Sequence, residues 1–178
     1  MRIMIIGYSG SGKSTLARTL AAKYAVPALH LDTVHHLPGW RERDRAEELE
    51  IVDRFLRENE GWVIDGNYSK LCYEERLEAS DRIVMMLFNR FACLWRAWRR
   101  YRRYRGSTRP DLAEGCPEKL DREFVRWILR DGRKKAARQR YRGIRAKYPD
   151  KATVLKNQRQ LDAFMRREGL PAPPQKGR

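Results

Sequence analysis

The chain opens on a short unbroken apolar run, residues 3–6, rich in β-branched side chains and followed at once by glycines. A run of that length without polar alternation predicts a strand buried on both faces. From Lys13 to Tyr24 the pattern changes to a helical period, with Leu16, Leu20 and Ala21 on one side. Pro27 ends that period, and residues 28–31 read as a second short strand. Asp44 with Glu47 three residues later has the form of a capping box, and the helix it opens shows an apolar face of Leu49, Val52, Phe55 and Leu56. Residues 62–64, bounded by Gly61 and by Gly66-Asn67, predict a third strand, residues 82–88 a fourth and residues 152–155 a fifth. A last helix runs through Leu161 and Phe164. Strands that alternate with helices from end to end predict an α/β fold: a five-stranded parallel sheet with helices on both faces.

Between the fourth and fifth strands lies a long helical section. Phe91, Trp95, Trp98 and Tyr101 recur in it at helical spacing, which predicts a core stripe. Arg96 and Arg100, four apart, share one side of the same helix. Residues 106–117 collect Gly, Pro and Ser and read as a mobile loop. Residues 170–178 are proline-rich and charged and read as a disordered tail, leaving residues 1–169 as one domain.

Composition changes this picture in two ways. Three cysteines, Cys72, Cys93 and Cys116, are odd in number and widely spaced among 178 residues, which points to a reduced, cytoplasmic protein with neither a zinc site nor a disulfide framework. No apolar stretch is long enough to span a membrane, no membrane partner is expected, and the N-terminal run reads as a first strand rather than a secretory signal. The charge is less ordinary, at a net +16. Residues 90–147 hold 20 Lys and Arg against 6 Asp and Glu, a surplus of 14 in one third of the chain. Such a run suits nucleotide phosphates or a nucleic acid, or it is simply a solvated helical face. Arg133, Lys134, Lys135 and Arg138 are read as its outward side.

The sharpest signal is Gly7-Tyr8-Ser9-Gly10-Ser11-Gly12-Lys13-Ser14, a complete phosphate-binding loop placed between a buried strand and a helix. Gly7, Gly10 and Gly12 let the backbone turn tightly, so that the N–H groups of Ser9 to Ser14 point at the phosphates of ATP. The helix that starts at Lys13 adds the positive end of its dipole. Lys13 reaches the β- and γ-phosphates, and the Ser14 hydroxyl ligates Mg²⁺. A metal-bound nucleotide also needs a carboxylate at the carboxyl end of a strand, and Asp32 and Asp65 both stand there. Either can serve the metal; we assign Asp65 to Mg²⁺ and Asp32 to the phosphoryl acceptor. His35 and His36 could touch that acceptor, although a surface position is the plainer expectation. Arg96 and Arg100, with Arg102, Arg103, Arg105 and Arg109 beside the loop, are candidates to neutralise charge on the transferred group.

The order LDTVHH, GWVIDGNY, ASDRIVMMLFNR and TRPDLAEGCPEKLDREFVRWI resembles the bacterial topology modulation protein family, small P-loop proteins similar to adenylate kinase. The resemblance covers about residues 1 to 165. It implies a three-layer nucleoside-monophosphate-kinase-like fold, an acceptor-side section at about residues 33–60, and an arginine-bearing lid at about residues 102–117. It further implies that Gly10, Gly12, Lys13, Ser14 and Thr15 bind ATP phosphates and Mg²⁺, that Arg96 lies near the adenine, and that Arg100 meets the phosphates. One departure stands out. Adenylate kinases follow Asp-Gly with Phe-Pro-Arg, whose arginine helps hold AMP, whereas Asp65-Gly66 continues here with Asn67-Tyr68-Ser69. The function expected is therefore an ATP-dependent phosphotransferase acting on a small molecule, a nucleotide or nucleoside among the possibilities. The alternative is an ATP-switched, nucleic-acid-associated regulator that uses the basic section.

Overall fold

The computed structural model describes residues 1–107, 112 and 115–170. In chain order the first half contains β1 (Arg2–Gly7), α1 (Lys13–Tyr24), β2 (Ala28–His30), α2 (Leu31–His35), β3 (His36–Leu37), β4 (Arg41–Glu42) and α3 (Arg45–Glu58). The second half contains β5 (Trp62–Asp65), α4 (Tyr73–Ala79), β6 (Arg82–Met86), α5 (Arg90–Tyr104), α6 (Arg122–Leu129), α7 (Lys135–Lys147), β7 (Ala152–Leu155) and α8 (Gln158–Arg167). Five strands form one parallel sheet in the order β2-β5-β1-β6-β7. Because β1 is central, its side chains alternate between two cores. Ile3 and Ile5 join Leu16, Leu20, Cys93, Ala97 and Phe164 on one face, while Met4 and Ile6 join Val52, Leu77, Tyr141 and Ile144 on the other. The chain leaves β1 toward β5 and β2 and returns to β6 and β7, so the loop after β1 sits at the point where the strand order reverses, where open parallel sheets bind ligands.

Several expectations shift. The second strand ends at His30, because buried Leu31 already starts α2 and turns the chain at the sheet's edge. The fourth strand ends at Met86, and Phe88 drops into the core under α5. Asp44 does cap α3, accepting from the Ala46 N–H at 2.8 Å, but Glu47 pairs with Arg43 instead of completing a box. Leu49 is left exposed, while Val52 is fully buried with Phe55 and Leu56 packed on the same core, so the expected apolar face of α3 holds at three of its four positions. The β3–β4 hairpin has only two residues in each strand, too few for a periodic signal. At the C-terminal end, Gly169 in the left-handed region lets the Leu170 N–H return to Met165 O at 2.9 Å, and Leu170 is buried in the core rather than opening a tail. Residues 171–178 lie outside the described part, as does Arg109.

The largest correction is α5. Phe91, Trp95 and Trp98 are 72%, 57% and 36% exposed, and the buried face is Cys93 and Ala97. The reason is proximity: α5 packs on the phosphate loop so closely that a Cβ on Gly10 would stand 2.5 Å from Cys93 O. Only small side chains fit that contact, so the large aromatic residues face outward. Among the described residues no helix is long and apolar enough to cross a membrane.

Candidate functional site

The loop from Gly7 to Gly12 is held from three sides. Gly7 lies at φ 142°, and a Cβ there would meet Met86 O at 2.3 Å, so β1 can pass this point only as glycine. Asn67 grips the same residue through both backbone groups: Gly7 N–H donates to Asn67 Oδ1 at 2.9 Å, and Asn67 Nδ2 donates to Gly7 O at 2.7 Å. Tyr141 of α7 donates its hydroxyl to the same Oδ1 at 3.2 Å. The residue that departs from the adenylate kinase pattern thus serves to lock the loop. Tyr8 lies edge-on to Tyr141 at 5.4 Å and under the Arg133 guanidinium at 3.8 Å, and Trp127 donates to Ser9 Oγ at 3.1 Å. Gly12 at φ 98° caps α1, and Thr15 sits exposed in the first turn. The Ser11 hydroxyl is buried.

Lys13 folds back onto Tyr8 O at 3.2 Å. Burial pushes its ammonium below the usual lysine range, and the opposing pull of Asp32 and Asp65 identifies both carboxylates as its electrostatic neighbours. The two are held differently. Asp65 is buried at the end of β5, where Oδ2 accepts from the Ser14 hydroxyl at 2.9 Å and Oδ1 takes His30 Nδ1. His30 faces Asp65 directly in the parallel β2–β5 register. A serine hydroxyl and a carboxylate oxygen in contact at the foot of a phosphate loop are hard oxygen donors of the kind Mg²⁺ prefers, so the residues present fit the ion. Asp32, in the first turn of α2, accepts from the Tyr68 hydroxyl at 2.8 Å. Burial, and after it Asp32, raises the Tyr68 phenol, which stays a donor.

Arg96 meets the loop, whereas Arg100 is paired with Glu118. Arg96 donates to Ser11 O and to Gln158 Oε1 and covers the Phe88 ring at 4.1 Å. Arg100 places Nε and Nη2 on Glu118 Oε1 at 2.9 and 2.7 Å, and its charge reaches Lys13. Arg102 and Arg103 are exposed on the other side, with Arg102 over the Trp98 ring. The expected outward basic row is corrected at its first member. Arg133 is half-buried, donating to Ile128 O at 2.8 Å and Phe88 O at 3.0 Å, whereas Lys134, Lys135 and Arg138 are exposed.

Beyond Asp32, His35 is half-buried: its Nδ1 meets buried Glu48, and its ring lies 5.0 Å from Tyr68. The hairpin beyond it docks on residues 115–117, with Gly39 N–H on Gly115 O at 3.0 Å and Trp40 Nε1 on Pro117 O at 3.2 Å. Asn67, His30, Tyr68 and Glu118 carry contacts that sequence reasoning missed. Only Asn67 left a visible trace, as the break from a known motif.

No family model and no curated protein matches the chain. Solved structures do. It is similar to shikimate kinase from Bacteroides thetaiotaomicron at 21% identity and a TM-score of 0.50, over 94% of this chain and 95% of that one. TT1252 from Thermus thermophilus matches at 18% identity and a TM-score of 0.53, covering 94% and 97%. Deoxyadenosine kinase from M. mycoides matches at 12% identity and a TM-score of 0.50, covering 95% and 99%. At these identities the likeness is one of architecture, and with the parallel sheet and the loop after β1 it establishes a P-loop kinase fold.

Proposed function

We propose that the protein is an ATP-dependent phosphotransferase that moves the γ-phosphoryl of ATP to a hydroxyl of a small molecule. The observation that carries this reading is the separation of the two carboxylates beside Lys13. Asp65 is committed to Ser14 and His30, while Asp32 stands on the acceptor side under Tyr68. Lys13, released from Tyr8 O, would hold the β- and γ-phosphates, with Arg96 and Arg100 above them. Bound at Ser14 and Asp65, Mg²⁺ would neutralise phosphate charge. Asp32 would take the proton of the attacking hydroxyl as the oxygen–phosphorus bond forms, the bond to the β-phosphate oxygen breaks, and ADP leaves.

The likeness to the topology modulation proteins rests on sequence motifs and is part of this proposal, as is a cytoplasmic setting, to which the free cysteines are suited. The contact of Arg96 with Ser11 in the loop supports a transferase over a nucleic-acid-associated regulator. The test is ADP release in a coupled assay. Lys13→Ala should abolish turnover in a folded protein. Asp65→Asn should raise the Mg²⁺ requirement more than it weakens Mg²⁺-free nucleotide binding, and Asp32→Asn should lower kcat without changing the Mg²⁺ requirement. Full turnover in Lys13→Ala sinks the enzyme reading; the opposite pattern in the aspartates reverses their roles.

A further inference from the structure

Asp65 is a buried carboxylate with both oxygens engaged. The parallel register sets His30 opposite it, so the two side chains leave the sheet on one face at the carboxyl ends of β2 and β5. His30 Nδ1 meets Oδ1, and the Ser14 hydroxyl donates to Oδ2 at 2.9 Å. Imidazole and carboxylate are only 13% and 5% exposed. A carboxylate can only accept, so Nδ1 carries the hydrogen and donates. The backbone beneath the imidazole is fixed as well. β2 ends at His30, whose carbonyl accepts from the Thr33 hydroxyl at 2.7 Å as the chain turns into α2.

We infer that His30 is a positioning residue for the metal: its imidazole N–H fixes the rotation of the Asp65 carboxylate and so keeps Oδ2 at Ser14. The inference rests on the reading of Ser14 and Asp65 as the residues that hold Mg²⁺, and it adds one that acts through Asp65. The torsion that turns a carboxylate about its Cβ–Cγ bond is broad and gives no single orientation by itself. The Ser14 hydroxyl cannot be the only anchor, because its oxygen is the other one that would serve the ion. His30 stands on Oδ1 and leaves Oδ2 to that side. Without its N–H, Oδ1 would be a buried acceptor lacking this partner. The Lys13 ammonium already feels the Asp65 charge, so a carboxylate released from His30 would be free to turn toward it.

The experiment uses the full chain and titration calorimetry with a non-hydrolysable ATP analogue, once with excess Mg²⁺ and once with a chelator. The ratio of the two dissociation constants measures how far Mg²⁺ tightens nucleotide binding, and no turnover is involved. His30→Phe keeps a flat ring and removes the donor, His30→Asn returns an amide N–H near the place of Nδ1, and His30→Ala removes both. We expect the tightening to fall about tenfold in His30→Phe and His30→Ala, at the lower end of what partners of metal ligands contribute, with Mg²⁺-free affinity little changed. His30→Asn should recover most of it. A residue that only supports the fold would lower the melting temperature and the Mg²⁺-free affinity and leave the ratio alone. Wild-type tightening in His30→Phe overturns the inference, as does a His30→Asn ratio no better than that of His30→Ala. In either case, loss of the tightening in Asp65→Asn leaves the metal reading standing. An Asp65→Asn protein with the wild-type ratio removes Asp65 from the ion, and this inference falls with it.

Discussion

Replacing Asn67 by alanine removes three hydrogen bonds at one residue: those to Gly7 N and Gly7 O and the one from Tyr141. Gly7 is buried, so its N–H and C=O have little access to water once the amide is gone. A buried polar group left unpaired costs about 1–3 kcal/mol, and the low end applies because the Asn67 contacts are only partly buried. The variant should lose about 3 kcal/mol, which for a chain of this size lowers the melting temperature by roughly 6–12 °C. The loop would also lose its fixed shape, so ATP affinity should fall at least about tenfold. Asn67→Asp separates the two effects. It keeps an acceptor for Gly7 N–H but sets a carboxylate against Gly7 O and near the phosphates, so nucleotide binding should suffer more than stability. Differential scanning calorimetry and titration calorimetry with a non-hydrolysable ATP analogue measure both quantities. An Asn67→Ala protein that melts within about 2 °C of wild type and binds the analogue equally well would refute the clamp.

Two further outcomes follow from the same geometry. Arg100→Ala should lower kcat by at least about a hundredfold, since arginines over a transferred phosphoryl are worth about 10³–10⁵, and unchanged kcat would remove Arg100 from the phosphate site. Because His36 is held below its ordinary value of 6.5, the folded state binds fewer protons there than the unfolded chain. The stability it contributes is present above pH 6.5 and is lost as pH falls toward the lower folded value, so His36→Gln should flatten the decline in melting temperature between pH 7 and pH 5.

Much of the sheet could be read from the sequence because a central parallel strand must be apolar on both faces. Residues 3–6 and 83–86 have that signature, and Lys13–Tyr24 carries the helical period between a glycine loop and Pro27. The phosphate loop was legible because its function constrains residue types at adjacent positions. What could not be read depends on contacts distant in sequence. His30 reaches Asp65 only through the register of β2 on β5, which no local pattern specifies. Periodicity in α5 reveals two faces, but it cannot say which one is turned inward. Hydrophobicity favours Phe91, Trp95 and Trp98, whereas the closeness of Gly10 and the carbonyl of Ser11 admits Cys93, Ala97 and the Arg96 guanidinium. The end of α5 at Tyr104 agrees with a loop that starts at Gly106, but the isolated bridge of Arg105 with Glu118 joins residues that no local pattern relates.

The inverted packing of α5 changes how a map of tolerated substitutions along this helix should look. In most amphipathic helices the bulky apolar positions are the intolerant ones and the small ones accept change. Here a library scored for folding should accept serine, lysine or glutamine at Phe91 and Trp95, and reject anything larger than the native residue at Cys93 and Ala97. A profile of tolerance that rises with side-chain volume would record the press of a helix against a nucleotide loop.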